Sequence, residues 1–253
     1  MNTKEKVITG TVITLISGVL ITLGVIAGMR EQEKLITGLR ISGNQLLDKT
    51  DYIEFTGFTT PESFNRLKLA DIKKRFDEHS YIMNTAVKRN ADNSVSVEIT
   101  EKMIVAQTIR DRALHLITEN LELLKLIQGT LKADYPVISN LPDTLYTGAD
   151  SLKYNSELKL GVRIIQGMLY AAPDAVRLAE VDMRRGNEII MHMENVPAFI
   201  KLGRGNFPLK IAALSQLLKN VKLKMKLDNA LYVDVRYAKR IYIGNYEESR
   251  LAI

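Results

Sequence analysis

The sequence predicts an α+β protein: an N-terminal transmembrane helix, a short β-α-α-β-β segment, and a longer segment that mixes strands with two helices. Three observations carry this reading. Residues 7–29 hold no charged side chain and are rich in Val, Ile, Leu, Thr and Gly. Beyond them, period-two alternation is interleaved with apolar residues at helical spacing. Clusters of Gly, Asn, Asp and Pro separate these stretches.

As a helix, residues 7–29 would be about 35 Å long, enough to cross a hydrocarbon core of roughly 30 Å with some tilt. A buried core helix rarely runs so far without charge. A cleaved signal peptide has a shorter apolar region, and Ala27-Gly28-Met29 is a poor cleavage site. Retention as a single anchor is the expectation. Lys4 and Lys6 precede the run and Arg30 and Lys34 follow it, so charge bias does not fix the orientation.

About 220 residues remain after the anchor, enough for one large or two small domains. Of the 253 residues, 46% are apolar and 25% charged, as in an ordinary globular chain. The net charge is +6. Such a balance suits nucleic acid or an anionic membrane surface. Here the cations are interleaved with Asp and Glu, and the densest run (Lys219, Lys222, Lys224 and Lys226) has no nucleic-acid module around it. With no cysteine, disulfides, Cys-based zinc sites and a Cys nucleophile are excluded, while the compartment stays open.

In the first soluble segment, Leu39-Arg40-Ile41-Ser42 alternates as a strand and Gly43-Asn44 breaks it. Residues 48–55 suit a short helix ended by Gly57, and Thr60-Pro61 marks a turn or helix start. Leu69, Ile72 and Phe76 recur at helical spacing, with Asp71 early and Lys73, Lys74 and Arg75 late, an order that suits the helix dipole. Residues 81–89 read as a strand, 90–93 as a turn, and Val95, Val97 and Ile99 share one face of a second strand.

In the second segment, Leu114-His115-Leu116-Ile117 alternates, and 135–140 is strand-like. Leu158, Val162, Ile165 and Met168 mark a helix over 151–170, weakened by Gly161 and Gly167. Residues 176–182 and 188–194 flank the turn Arg184-Arg185-Gly186-Asn187 as a hairpin. Phe199 to Leu202 form a strand closed by Gly203-Arg204-Gly205-Asn206. Pro208 opens a helix with Ile211, Leu214, Leu217 and Leu218 on its apolar stripe. Leu231, Val233, Val235 and Tyr237 alternate along a further strand, which turns back near Ala238-Lys239 into Ile241-Tyr242-Ile243.

Nothing points to catalysis. His79, His115 and His192 have no metal-ligand spacing. There is no nucleophile elbow, P-loop or dinucleotide fingerprint. Paired acids such as Glu247-Glu248 read as solvated faces. No enzyme activity, metal, cofactor or small-molecule substrate is expected.

The series Ile41-x-Gly43-Asn44, Ile72-Lys73-x-Arg75, His79-x-Tyr81-Ile82, Ala86-Val87-x-Arg89 and Val97-x-Ile99-x-Glu101-Lys102 resembles a POTRA domain. The version it is most similar to is that of the FtsQ/DivIB family of bacterial cell-division proteins. Lys201-Leu202-Gly203, Lys210-x-x-x-Leu214-x-x-Leu217-Leu218 and Tyr232-Val233-Asp234-Val235-Arg236-Tyr237 resemble the same family, as does Tyr135-Pro136-Val137-Ile138. The resemblance implies a cytoplasmic tail (1–6), a transmembrane helix (7–29), a POTRA domain (35–105), a mixed β domain (106–246) and a C-terminal tail (247–253). It further implies a non-catalytic scaffold of the division septum, held in the inner membrane with its bulk outside the cytoplasm. Its partners would be FtsB (DivIC) and FtsL at the β domain, and other division proteins at the POTRA domain. A different anchored POTRA-type protein of envelope assembly or secretion is the alternative.

The residues expected to bind a partner are Arg236, Tyr237, Lys239, Arg240, Ile241, Tyr242 and Ile243. They combine cations, aromatics and β-branched residues, and Tyr and Arg are enriched in hot spots. Read without the resemblance, the same residues make an ordinary terminal hairpin with Tyr237 and Ile241 in the core. In the FtsQ/DivIB family the last strands bind FtsB by strand addition, and Tyr237 matches an aromatic of that surface. A second family aromatic has no clean match; Tyr242 or Ile243 stands nearest.

Overall fold

The computed structural model describes residues 16–20, 35–131, 134–141, 155–172, 177–184, 188–220, 227–237 and 240–245. The expected anchor lies outside these except for the helical residues 16–20, and both expected tails lie wholly outside. Among the described residues, no helix is long and apolar enough to cross a membrane. The chain divides into two compact units, described separately below.

The first unit takes in the described residues of Met1–Gly43, Lys49–His79 and Thr85–Ile99. Its elements are β1 (Leu39–Ser42), α1 (Lys49–Thr56), α2 (Pro61–Phe64), α3 (Leu69–Asp77), β2 (Ile82–Arg89) and β3 (Val95–Glu101). This is the expected order, with one short extra helix where Thr60-Pro61 signalled a turn or a start. The three strands form a sheet in the order β1-β3-β2, with β1 parallel to β3. Gly43 is required at the end of β1: its φ is +86°, and a Cβ there would collide with the carbonyl of Ile99. The helices bury an aromatic cluster, in which Phe58 lies 6.2 Å from Phe64 and 5.9 Å from Phe76.

The second unit takes in the described residues of Asn44–Asp48, Ser80–Asn84 and Thr100–Ile253. It holds β4 (Ile104–Arg110), β5 (Ala113–Thr118), β6 (Leu123–Lys125), β7 (Val137–Ser139), α4 (Ser156–Ala171), β8 (Leu178–Asp182), β9 (Ile190–Met193), β10 (Val196–Lys201), α5 (Phe207–Lys219), β11 (Ala230–Asp234) and β12 (Tyr242–Asn245). One nine-stranded sheet results, in the order β12-β11-β10-β9-β8-β7-β4-β5-β6. Two pairs that are consecutive in the chain, β7/β8 and β10/β11, are parallel. A parallel pair needs a crossover, and α4 and α5 supply one each.

β4 has no period-two signal because Ile104, Val105 and Ala106 are buried in succession. β5 flanks it on one side and β7 on the other, and α4 packs across it. β6, with three residues, is too short to carry a pattern.

The glycines that lower the propensity of α4 have a packing role. A Cβ on Gly161 would lie 3.0 and 3.1 Å from the Ile138 side chain, so this glycine lets α4 approach β7. The helix starts at Asn155, whose side chain accepts from the backbone N–H of Glu157 at 2.9 Å and Leu158 at 3.1 Å. The core of this unit runs through Ile117, Ile138, Ile165, Val181, Met191, Ile200, Leu214 and Val233, all fully buried.

Candidate functional site

The expected partner-binding residues gather at the β11/β12 end of the large sheet. β12 is its outermost strand: β11 pairs with it antiparallel, and among the described residues nothing pairs with its other side. The register sets Asp234 opposite Tyr242, Val233 opposite Ile243 and Tyr232 opposite Gly244. Strand parity then divides the side chains. Ile243, and Ile241 just before the strand, pack on the apolar core, while Tyr242 and Gly244 share the other face with Tyr232 and Asp234.

Alternation predicts a strand reaching Tyr237. The structure ends β11 at Asp234, because the Asp234 side chain takes over the hydrogen bonding. Its Oδ1 accepts from the backbone N–H of Arg236 at 3.0 Å, which turns the chain out of the ladder. The Arg236 guanidinium then folds back on the same carboxylate, with Nη2 at 2.6 Å from Oδ2 and Nε at 3.0 Å from both oxygens. Glu188 lies 3.9 Å from Nη1. Burial raises the Asp234 carboxyl, but the hydrogen bonds from the Arg236 side chain and backbone, with the charges of Arg236 and Lys201, outweigh it. The group ends below its ordinary value.

The turn presents Tyr237, which is 58% exposed rather than buried in a core. Its ring meets Tyr242 edge-on, with centroids 5.7 Å apart and planes at 82°. Two residues singled out from sequence thus form one aromatic surface. Arg240 is exposed, and its backbone N–H closes the turn on the Tyr237 carbonyl at 3.2 Å. Lys239 lies outside the described residues.

Several neighbours escape a reading of the terminal hairpin alone. Lys201 on β10 carries its ammonium 4.2 Å from the Tyr232 ring centroid and 5.7 Å from that of Phe199, which is paired in register with Tyr232. Gly244 has no side chain because the Tyr232 ring occupies that space. The pairing of Lys201 with Asp234 depends on a parallel register that local sequence does not encode.

Behind the turn is a cleft of about 190 Å³ lined by Lys210, Gln216, Val235, Tyr237 and Arg240. Lys210 is 4% exposed and donates to the carbonyls of Leu202 at 3.0 Å and Arg204 at 2.8 Å. Burial lowers its pKa, Asp234 opposes that, and Arg236 adds to it; the net shift is downward. Lys210 therefore ties α5 to the loop after β10.

The histidines take packing roles. His79 is held edge-on between Tyr52 at 4.8 Å and Phe55 at 4.6 Å. His115 is buried with Nδ1 3.1 Å from the Ala113 carbonyl oxygen, and His192 is half-buried on β9. Among the described residues no group of His, Asp and Glu is placed to hold a metal ion.

No protein-family model matches the chain. Two curated proteins do. The cell division protein FtsQ of Geotalea daltonii is 21% identical over 206 residues, covering 81% of this chain and 74% of that protein. The cell division protein FtsQ of Myxococcus fulvus is 22% identical over 202 residues, covering 79% and 70% respectively. These alignments run along about four fifths of the sequence, and the chain is a distant relative of the FtsQ cell-division proteins.

Proposed function

We propose that this chain is a non-catalytic, single-anchored scaffold of the bacterial division complex. In this reading residues 7–29 hold it in the inner membrane at the septum, with the bulk outside the cytoplasm. The β-α-α-β-β segment acts as a POTRA domain that engages other division proteins. The larger sheet binds an FtsB/FtsL-type partner and so helps control septal cell-wall synthesis.

The observation that supports this best is the open outer side of β12 beside the Tyr237–Tyr242 pair. An edge strand offers unpaired N–H and C=O groups, and a second chain gains main-chain hydrogen bonds by pairing there. Exposed Arg240 puts positive charge at the tip, which favours an acidic residue in the incoming segment. Tyr237, Tyr242, Arg236, Arg240 and Lys239 form the contact surface in this reading, while Ile241 and Ile243 hold the strand on its core.

The test is binding of the full chain, in detergent or nanodiscs, to a purified FtsB-like extracytoplasmic segment. Ile241→Pro and Tyr237→Ala each weaken binding at least tenfold if the edge is the site. Wild-type binding by both variants, with circular dichroism unchanged, rules it out.

A further inference from the structure

A second surface of the large unit shares no lining residue with the cleft behind the β11/β12 turn. The helices α4 and α5 run side by side in one direction. At their starts Glu157 makes a two-point ion pair with Arg204, at 2.9 and 2.7 Å. Towards their ends Ser215 donates to the carbonyl of Ala171 at 2.7 Å. Between them is a groove of about 610 Å³, lined almost entirely by apolar side chains. Leu160, Ile164, Gly167, Phe207, Ile211 and Ala212 carry most of it.

The groove is kept open by Gly167, where a Cβ would come within 2.9 Å of the Ile211 Cδ1. Its rim is unusually apolar for a solvated surface. Tyr170, which also lines it, is 92% exposed, and the neighbouring Leu169 and Leu209 are exposed as well. Arg163 is also on the rim and exposed, and no described acidic side chain lies within ion-pair distance of it.

The chemistry of the walls selects the occupant. Both walls are helices whose backbone groups are bonded internally, so an added strand would find no amide partners. A helix satisfies its own backbone and needs only an apolar stripe, the ordinary helix-in-groove mode. The exposed guanidinium on the rim, which meets no carboxylate among the described residues, asks for one. We propose that this groove takes an amphipathic helix of another protein, its apolar residues at i, i+4 and i+7 over Ile164, Gly167 and Ile211, and an Asp or Glu beside Arg163. This site is separate from β12 and does not rest on strand addition there.

The experiment replaces Tyr170 with the photo-cross-linker p-benzoylphenylalanine in the full-length chain, in the cells that carry it, and maps the linked atoms by mass spectrometry. The expected product is a cross-link to the apolar face of a helix that bears an acidic residue. Arg163→Glu lowers its yield about tenfold or more, and Asp/Glu→Arg at the mapped acid restores it. Ala212→Glu, at an exposed position in the groove, abolishes it, while Ile241→Pro on the β12 side leaves it unchanged. Cross-links only to lipid, only to a second copy of this chain or to a non-helical segment overturn the proposal. So does no cross-link at all, or a yield indifferent to Arg163→Glu.

Discussion

Arg236 lies across the carboxylate of Asp234, with Nη2 2.6 Å from Oδ2 and the backbone N–H 3.0 Å from Oδ1, and this closed contact ends β11. The buried acid is thereby satisfied, and the guanidinium is held in one orientation at the tip of the sheet. Replacing Asp234 with Asn removes the charge but keeps an acceptor. The expected loss is about 1.5–3 kcal/mol, the range for hydrogen bonds to charged groups, read as a lower midpoint in urea unfolding.

The same contact gives a pH dependence. The folded-state value of Asp234 is depressed below the unfolded one. Its stabilisation is therefore fully present above the unfolded carboxyl pKa, about 3.9, and is lost as pH falls through the lower folded value. Urea unfolding followed from pH 7 down to pH 3 should show the onset of this loss. In Asp234→Asn the acid-side slope should be shallower, and an unchanged slope would remove Asp234 from the account.

Gly244 and Tyr232 form a matched pair on the face of β12. A Cβ at position 244 would run into the Tyr232 ring, so Gly244→Ala forces the ring aside or lifts the strand. Overpacking of this kind costs about 1–3 kcal/mol. Gly244→Ala should therefore lose stability alone and recover most of it when combined with Tyr232→Leu. Strictly additive losses in the double mutant would show that the two positions do not interact.

The glycines of α4 should behave oppositely to one another. Gly161→Ala gains up to about 1 kcal/mol of helix propensity. It also brings a methyl within 3.0 and 3.1 Å of two atoms of the Ile138 side chain, which is fully buried and has little room to shift. A net loss of about 1–2 kcal/mol is expected. At Gly167 the obstacle is the far end of one Ile211 side chain, which rotates aside. Gly167→Ala should be neutral or stabilising by up to about 1 kcal/mol. Thermal melts of the two variants separate these signs.

Much of this architecture was legible in the sequence because its elements carry local signals. The β1 strand, the breaking Gly43, the helix at 69–77 and the alternation Val95-Val97-Ile99 fix the small sheet segment by themselves. The alternation of Leu231 and Val233 likewise marks β11. What escaped was set by distant partners. β4 buries Ile104, Val105 and Ala106 in succession and so shows no alternation at its start. The end of β11 depends on a side chain replacing a ladder bond, which turns a residue that alternates in sequence, Tyr237, into an exposed one. Lys201, Tyr232 and Gly244 come together only through the pairing of three strands. The pairing of Tyr237 with Tyr242 follows from the antiparallel return of β12, which the turn residues did announce.

The central claim is that the outer side of β12 receives a strand from a division partner. Amide hydrogen exchange of the full chain, with and without a purified FtsB-like extracytoplasmic segment, tests it most directly. The account predicts slowed exchange at Tyr242, Ile243, Gly244 and Asn245 in the complex, strongest at the amides that face away from β11. Binding that leaves these four amides as fast as in the free protein would contradict it.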